Sequence, residues 1–305
     1  MRSTFIAAML WIASVLAGSP SSAQAAARFA AELPFRSCDG LICIEVALDN
    51  APPRTLMLDT GNVNSTLITD AAKSLNWALD PARRGNDTVP GIYRGGDHQV
   101  QLGGLADRTA FFVFDRELLG PYKMPVDGSI AYTFFKDRIL EIDYPHHRLR
   151  ISNIISTPVP DKPSATGSLK LITFGDKGPP IVVGSKFTVN GKPVRAQIDT
   201  VYTGTMLVYD SALAALGLVK QGKPELYRYT DGGVNLLDGS ADSLGFGKRT
   251  LLGAKPPIQF VGEGANPVHQ PDGLFEATVG NALFADSVVT MDFHSMTLDV
   301  RPAAN

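Results

Sequence analysis

The chain has 305 residues, with 28 basic and 30 acidic side chains and a formal net charge of −2. No basic stripe runs along it, so we expect no nucleic-acid partner. The length allows a large core and two lobes of ordinary size, and the 29 glycines and 21 prolines favour many short strands joined by turns.

The first residues have the pattern of a secretory signal peptide. Arg2 supplies a positive charge, residues 5–18 are apolar, and Ala23-Gln24-Ala25 offers a small-x-small cleavage site. Residues 1–25 are therefore predicted to direct export, to the periplasm or out of the cell. An uncleaved membrane anchor is the alternative. Because no later run is apolar enough to span a membrane, we expect no integral membrane segment after cleavage.

The two cysteines, Cys38 and Cys43, flank the turn-forming pair Asp39-Gly40. Export permits disulfides, and an Asp-Gly turn folds a chain back on itself. A local disulfide and two buried free thiols are equal alternatives, because the sequence does not give the separation of the two Cα atoms. Neither cysteine has a neighbouring His pattern typical of a nucleophile or a metal site.

The predicted first lobe, residues 26–157, consists mainly of strands. Residues 41–48 and 55–58 are apolar and rich in β-branched side chains, and the second of these strands delivers Asp59. A helix is predicted near residues 69–77. Further elements are expected at residues 98–102, 109–114, 138–144 and 148–151, as strands, and at 130–135, as a short helix.

A proline-rich linker, residues 158–168, leads to a second predicted lobe at residues 169–305. The pattern of the first lobe then restarts. Strands are predicted at residues 180–189 and 194–198, joined by an Asn190-Gly191 hairpin turn.

Two Gly-rich stretches predict mobile hairpin tips at corresponding places in the lobes. Residues 89–97 contain Tyr93 and Gly95, and residues 229–239 contain Gly232. An exposed hairpin aromatic without a function is the alternative for Tyr93.

The two lobes are predicted to be copies of each other. The hexapeptides Leu56-Met57-Leu58-Asp59-Thr60-Gly61 and Ala196-Gln197-Ile198-Asp199-Thr200-Val201 each end an apolar strand in Asp-Thr, and the two aspartates are 140 residues apart. The register holds on both sides, as in the pairs Asn50 and Asn190, Pro53 and Pro193, and Asp70 and Asp210. A repeat of one lobe's length indicates duplication rather than a solenoid.

Asp59 and Asp199 are the candidate catalytic residues. A carboxylate at the end of a buried strand is costly to ionise alone, but two that meet across a pseudo-two-fold axis can share one proton. One would act as general base on a water molecule, and the other, protonated, as general acid on a substrate carbonyl. Because such a pair titrates as a unit, the two roles are not assigned.

The residues themselves resemble a known family. Asp59-Thr60-Gly61 after an apolar strand resembles the active-site motif of the aspartic proteases, and the segments before Phe134-Phe135 and Leu283-Phe284 resemble their second signature. The run Gln101-Leu102-Gly103-Gly104-Leu105 is similar to the bacterial retropepsin-like branch. The resemblance covers nearly the whole chain after the signal peptide, twice over.

The resemblance implies an all-β fold of two pseudo-two-fold-related retropepsin-like or pepsin-like β-barrel lobes with short helices, and a flap hairpin over the cleft between them. It also implies roles for single residues: Asp59 and Asp199 as the dyad, Thr60 and Thr200 bonding between the loops beside Gly61, and Tyr93, Gly95 and Gly232 in the flaps.

The second motif departs from the family's pattern at Val201, where the family has Gly. Val has a Cβ and a stiff χ1, and it resists the backbone freedom of Gly; Gly204 is the candidate that restores the turn. Ala131 replaces a family Gly in the first lobe, which is a milder change. The prediction of a shared proton therefore depends on how the chain accommodates Val201.

The leading prediction is an exported aspartic endopeptidase that acts as a monomer on extended polypeptide substrates, with no cofactor and no metal. The five histidines lack ligand spacing and are expected to be solvated. One alternative, favoured by Val201, is a catalytically degenerate protein of the same fold that binds peptides or serves as a scaffold. Another is an unrelated all-β carbohydrate-binding sandwich, which the presence of only two Trp disfavours.

Overall fold

The computed structural model of the protein describes residues 29–84, 87–119, 126–155, 166–173, 180–220, 225–227, 234–262 and 273–303. The predicted signal peptide, most of the predicted linker and Gly232 lie outside these residues. Below, residues 29–155 are called the first half and residues 166–303 the second half.

The described residues are mostly β, as the sequence predicts. The strands of the first half are β1 (Ala31–Pro34), β2 (Arg36–Cys38), β3 (Leu41–Leu48), β4 (Arg54–Asp59), β5 (Ser65–Ile68), β6 (Asp80–Arg84), β7 (Asp87–Leu102), β8 (Leu105–Phe114), β9 (Gly128–Ala131), β10 (Ile139–Asp143) and β11 (Arg148–Ile151). The strands of the second half are β12 (Gly167–Thr173), β13 (Pro180–Val189), β14 (Lys192–Ile198), β15 (Met206–Val208), β16 (Glu225–Tyr227), β17 (Val234–Ser240), β18 (Leu244–Phe246), β19 (Arg249–Leu252), β20 (Pro257–Val261), β21 (Ala277–Val279), β22 (Ser287–Asp292) and β23 (Thr297–Pro302). The helices are α1 (Thr69–Ser74), α2 (Tyr132–Phe135) and α3 (Asp210–Leu216), with single 3-10 turns at Arg116–Leu119 and Asn281–Phe284. Because β12 begins at Gly167, the predicted linker extends too far by two residues.

Helices α1 and α3 occupy corresponding places, as the repeat predicts. Each follows an extended residue and carries an aspartate in its first turn, where the helix dipole favours a negative charge. Helix α3 ends at Gly217, whose left-handed conformation (φ 70°) is one that a side chain disfavours. No helix within the described ranges combines the length and the apolar character that a membrane crossing requires.

The central strands of the two halves repeat one pairing pattern. In the first half β4 runs parallel to β9, β9 antiparallel to β5, and β5 parallel to β8. In the second half β14, β21, β15 and β20 pair in the same order and the same directions. Strands β4 and β14 therefore lie inside their sheets with a neighbour on each side, which explains why the residues just before each aspartate, Leu56–Leu58 and Ala196–Ile198, are mostly apolar.

The halves differ along one hairpin. Strand β7 pairs with β8 from Ile92 to Leu102, and it also pairs with β6 and with the end of β3. In the second half the corresponding span is divided into shorter strands, with β17 pairing with β20 and β18 with β19 and β13. The repeat therefore preserves the pairing but not the continuity of the strands.

Strands β10 and β22 pair across the halves, so that β1, β11 and β10 of the first half belong to the sheet of the second half, while β2–β9 form a separate eight-stranded sheet. The antiparallel register of β10 and β22 pairs Glu141 with Thr290, which are equivalent positions of the repeat, so the pseudo-two-fold axis passes between them. Glu141 is buried, and its carboxylate accepts hydrogen bonds from Arg150 (2.7 Å), Arg301 (2.9 Å) and the Thr290 hydroxyl (3.2 Å). These partners offset the cost of burying its charge.

One large apolar core extends through both halves, and two smaller clusters lie on the faces that carry the aspartates. The Asp59-side cluster consists of Cys38, Leu41, Cys43, Met57 and Val126. The Asp199-side cluster consists of Ile181, Val183, Tyr209, Leu236, Val261 and Phe275. Cys43 pairs with Met57, two residues before Asp59, and Val183 pairs with Gln197, two residues before Asp199. Because alternate residues of a strand share a face, each cluster adjoins its own aspartate.

Candidate active site

The two Asp-Thr turns are brought together by the strands that precede them. Asp59 is the last residue of β4 and pairs with Ala131 of β9. Asp199 follows β14, and its N–H donates to the carbonyl of Val279 in β21 (3.0 Å). In both halves the parallel partner strand therefore continues to the aspartate and holds its backbone at the end of the sheet.

Thr60 and Thr200 bond reciprocally across the two halves. The Thr60 N–H donates to the Thr200 hydroxyl (3.0 Å), and the Thr200 N–H donates to the Thr60 hydroxyl (3.2 Å). The Thr60 hydroxyl donates to the carbonyl of Ile198 (2.9 Å), and the Thr200 hydroxyl donates to that of Leu58 (2.7 Å). Both threonines are buried, so these bonds satisfy polar groups that water does not reach. The inter-loop bonds implied by the family resemblance are thus present.

Gly61 lies directly against the carboxyl group of Asp199. A Cβ built on Gly61 would stand 2.3 Å from the Asp199 Cγ atom, which no real contact allows. The backbone of Gly61 is not left-handed, so glycine is required here for close approach and not for backbone freedom. This contact also brings the carboxyl group of the second half onto the loop that carries Asp59.

Val201, the counterpart of Gly61, does not disturb its turn. Neither Val201 nor Gly204 has a left-handed backbone, so Gly204, the candidate for restoring the turn, does not supply a conformation that valine disfavours. The Val201 N–H donates to the Asp199 carboxylate (2.8 Å), as any residue's amide could. Its side chain packs against the Asp59-side cluster of the other half.

Backbone amides face both carboxylates in the same way. Asp59 receives the N–H groups of Gly61 and Asn62, and Asp199 receives those of Val201 and Tyr202. Burial, together with the nearby charge of Asp199, raises the pKa of Asp59 to about 8, and burial raises the pKa of Asp199 as well. Two buried carboxyl groups that repel each other's charge can hold one proton between them through the acid and neutral range.

Hydroxyl groups that the sequence did not single out support Asp59. Ser129 of β9 lies within hydrogen-bonding reach of the Asp59 carboxyl group and is bonded to the Thr66 hydroxyl (2.8 Å). Ser65, which is fully buried, accepts the N–H of Ala131 (3.1 Å). Both serines belong to strands that pair with β4 or with its neighbour, and the spacing of the repeat could have pointed to Ser129 through its counterpart, Thr278.

On the Asp199 side the corresponding polar group has other partners. The Thr278 hydroxyl lies 2.9 Å from the Tyr209 hydroxyl and 3.3 Å from the Gln197 side-chain oxygen. The Gln197 amide nitrogen in turn donates to the carbonyl of Gly61 (3.0 Å), which makes it a second link between the halves. Burial raises the pKa of Tyr209 to about 12, so it stays a neutral hydroxyl.

The two described flap candidates do not form a hairpin tip. Strand β7 runs unbroken from Asp87 to Leu102, and its first part pairs with β6. Tyr93 is in the stem, where it pairs with Pro81. Gly95 lies at an irregularity of the β7–β8 pairing, with little room for a side chain beside Val113. The prediction of a tip at residues 89–97 is therefore wrong, because the glycines of this stretch lie within a paired strand and do not end it. Gly232, the other candidate, is outside the described residues.

Cys38 and Cys43 form a disulfide, with their Cα atoms 6.0 Å apart. The bond closes the β2–β3 hairpin across its Asp39-Gly40 turn, where both residues have positive φ. This decides between the two alternatives that the sequence left open.

No group of three or more His, Cys, Asp or Glu side chains in the described part of the chain is arranged to hold a metal ion. In comparisons with known proteins, no protein-family description matches this chain, and no curated protein matches it either.

Proposed function

We propose that this protein is an exported aspartic endopeptidase whose two halves are the lobes of a retropepsin-like or pepsin-like fold. The observation that carries the proposal is the pair of interlocked Asp-Thr turns. Thr60 and Thr200 bond each other across the halves, and the Asp199 carboxyl group lies on Gly61, two residues from Asp59. The same residues form the active-site motif of the family that the sequence resembles.

In the proposed reaction one carboxylate of the dyad takes a proton from a water molecule while the other gives its proton to the carbonyl oxygen of the scissile peptide bond. The C–N bond of the tetrahedral diol then breaks as the leaving nitrogen takes the proton held by one carboxyl group, while a hydroxyl of the diol gives its proton to the other carboxylate, so the dyad again holds one proton. Because burial and mutual repulsion keep that proton bound up to about pH 8, activity should extend from acid to neutral pH. The substrate would lie extended and add a strand to neighbouring strands.

The test is cleavage of an unfolded protein by the secreted, mature chain, and its inhibition by a statyl-type transition-state mimic. Asp59→Asn and Asp199→Asn should each lower kcat/KM by on the order of 10⁴-fold, because either change removes half of the acid–base pair. Asp70→Asn, which alters an exposed aspartate of α1, is the control and should cleave like the wild type.

Two outcomes would reject the proposal. If each Asn variant cleaves as fast as the wild type, the dyad is not the catalyst. If the wild type cleaves nothing at any pH but binds extended peptides, the chain is a peptide-binding or scaffolding protein of the same fold. Val201 no longer favours that second candidate, because its backbone and its amide hydrogen bond fit the turn.

A further inference from the structure

We propose that the disulfide-closed β2–β3 hairpin of the first half is a positioning element for the Asp199 loop of the second half, and that Val201 and Asn281 are the positioning residues through which it acts. The inference rests on the proposed function, since it concerns how the second member of the dyad is held in place. It assigns a role to the cysteines and to the residue that departs from the family's motif.

The side-chain contact is made by Val201. The members of the Asp59-side cluster all belong to the first half, and among the described residues Val201 of the second half packs on it. Cys43 and Val126 in this cluster are buried almost completely, and the disulfide keeps Cys38 beside them. A glycine at position 201 would leave that apolar surface without this contact, so the valine that the family lacks gives the loop an attachment to the hairpin.

The backbone contact is made through Asn281. Its side-chain nitrogen donates both to the carbonyl of Gly40, in the hairpin turn, and to the carbonyl of Thr200, in the Asp199 loop (2.8 Å each). The Tyr144 hydroxyl donates to its side-chain oxygen (3.0 Å), so both ends of this buried amide are bonded. The two hydrogen bonds of Asn281 therefore hold the hairpin turn and the Asp199 loop at a fixed separation.

The turn itself touches the loop at Thr203. A Cβ built on Gly40 would stand 3.0 Å from the Thr203 Cβ, so only a glycine fits comfortably, and its φ of 85° also favours glycine. The Asp39-Gly40 turn thus lies against the loop, and the disulfide holds the two strands that present it. Together the three contacts hold the loop at residues 200, 201 and 203, directly after Asp199.

The first loop is held by different means. Its counterpart of Val201 is Gly61, which contacts the Asp199 carboxyl group and receives the Gln197 amide. The counterpart of Asn281 is Tyr132. Its N–H donates to the carbonyl of Asn62 (3.2 Å) just as the Asn281 N–H donates to that of Tyr202 (3.0 Å), but a tyrosine has no side-chain amide that could donate to a hairpin turn and a loop at once. Since the chain's two cysteines are both in the first half, the disulfide contact with the second loop has no counterpart between the second half and the first loop.

The experiment compares Val201→Ala, the double variant Cys38→Ser/Cys43→Ser, and Val300→Ala. Val201→Ala keeps the amide that bonds Asp199 and removes only the contact with the hairpin. Val300→Ala removes the same two methyl groups from a buried valine of β23 and is the matched control. For each variant kcat, KM, the pH profile and the midpoint of thermal unfolding would be measured.

We expect Val201→Ala and the cysteine variant to lower kcat on the order of tenfold with KM changed less than twofold, because a looser loop misplaces a catalytic group without removing substrate contacts. The upper limb of the pH profile should move to lower pH in both variants. The two aspartate carboxyl groups would be less buried and farther apart, so the burial and the mutual repulsion that raise their pKa would both weaken. Combining the changes should add little, since both act through one contact. Val300→Ala should lower only the unfolding midpoint.

The inference is overturned if Val201→Ala and the cysteine variant keep the wild-type kcat and pH profile and differ from it only in unfolding midpoint. It can also be tested if the wild type proves inactive. The titration of the two aspartate carboxyl carbons, followed by ¹³C NMR, should shift to lower pH in Val201→Ala and stay in place in Val300→Ala. An inactive wild type with that shift would reject the peptidase and keep the positioning role.

Discussion

The two Asp-Thr loops occupy equivalent positions of the repeat, yet different contacts hold them. The first loop is held by Gln197 and by the close approach of Asp199 to Gly61. The second is held by Asn281 and by Val201 on the disulfide hairpin. The Thr60–Thr200 bonds and the backbone amides that face each carboxylate are the same on both sides. The comparison teaches that symmetric residues bring the carboxyl groups together, whereas unlike neighbours set the environment of each.

The largest expected effect comes from Gly61→Ala. Gly61 and Val201 are equivalent positions of the two loops, but the structure has room for a side chain only at position 201. The new Cβ would overlap the Asp199 carboxyl group, so we expect a loss of at least about 10²-fold in kcat/KM. Gly253→Ala is the control, because a Cβ there would have its nearest neighbour at 3.9 Å. Full activity of Gly61→Ala would mean that Asp199 does not lie where the structure has it.

The threonine bonds test the symmetric part of the comparison. Thr60→Val and Thr200→Val should each lower the free energy of unfolding by about 2–4 kcal/mol, since each leaves a buried N–H and a buried carbonyl without its partner. The two costs should be similar because the bonds are reciprocal. Urea unfolding measures them, with Thr250→Val, at an exposed site, as the control. A large cost for one variant and none for the other would contradict the reciprocal arrangement.

The pH dependence of stability should have opposite signs for two aspartates of the first half. The folded-state pKa of Asp59 is raised to about 8, so this residue makes the protein less stable as pH rises from about 4 to 8. Asp59→Asn should therefore gain stability relative to the wild type over that range. Thermal melts between pH 3 and pH 8 measure the difference, and a constant difference would show that Asp59 titrates normally.

Asp49 supplies the contrast. Partial burial raises its pKa, but hydrogen bonds with His98, the Gln99 N–H and Trp77 outweigh this and lower the pKa of Asp49 below its usual value. It therefore contributes stability at neutral pH that is lost as pH falls through the acid range. Asp49→Asn should be less stable than the wild type at pH 7, and the difference should shrink toward pH 3.

The smallest expected effect distinguishes the two members of the dyad. Ser129→Ala removes a hydroxyl that favours the ionised form of Asp59, so the upper limb of the pH profile should move up by less than about one unit. Thr278→Ala, at the equivalent position, should leave the limb in place, because that hydroxyl bonds Tyr209 and Gln197. Equal shifts in the two variants would mean that the carboxyl groups have equivalent environments.

Much of this arrangement could be predicted from the chain alone. The apolar strands, the Asp-Thr turns and their spacing follow from periodicity and repeated residues, and the helices at α1 and α3 fall where the repeat predicts them. The hairpin tip near Tyr93 could not be placed, because glycines can lie within a paired strand as well as in a turn. Ser129 was missed as a partner of Asp59 because the register of β4 and β9 brings together residues far apart in sequence.

The sequence by itself determined that the protein is mostly β, that its two halves repeat, and that each half ends a buried strand in Asp-Thr. These properties are local, because the alternation of side chains and the residue types of turns act over a few positions. Only the tertiary structure decided that Gly61 is needed for the approach of Asp199, that Val201 fits, and that the cysteines bond beside the second loop. Those outcomes depend on which surfaces meet across the pseudo-two-fold axis, and no window of neighbouring residues contains both surfaces.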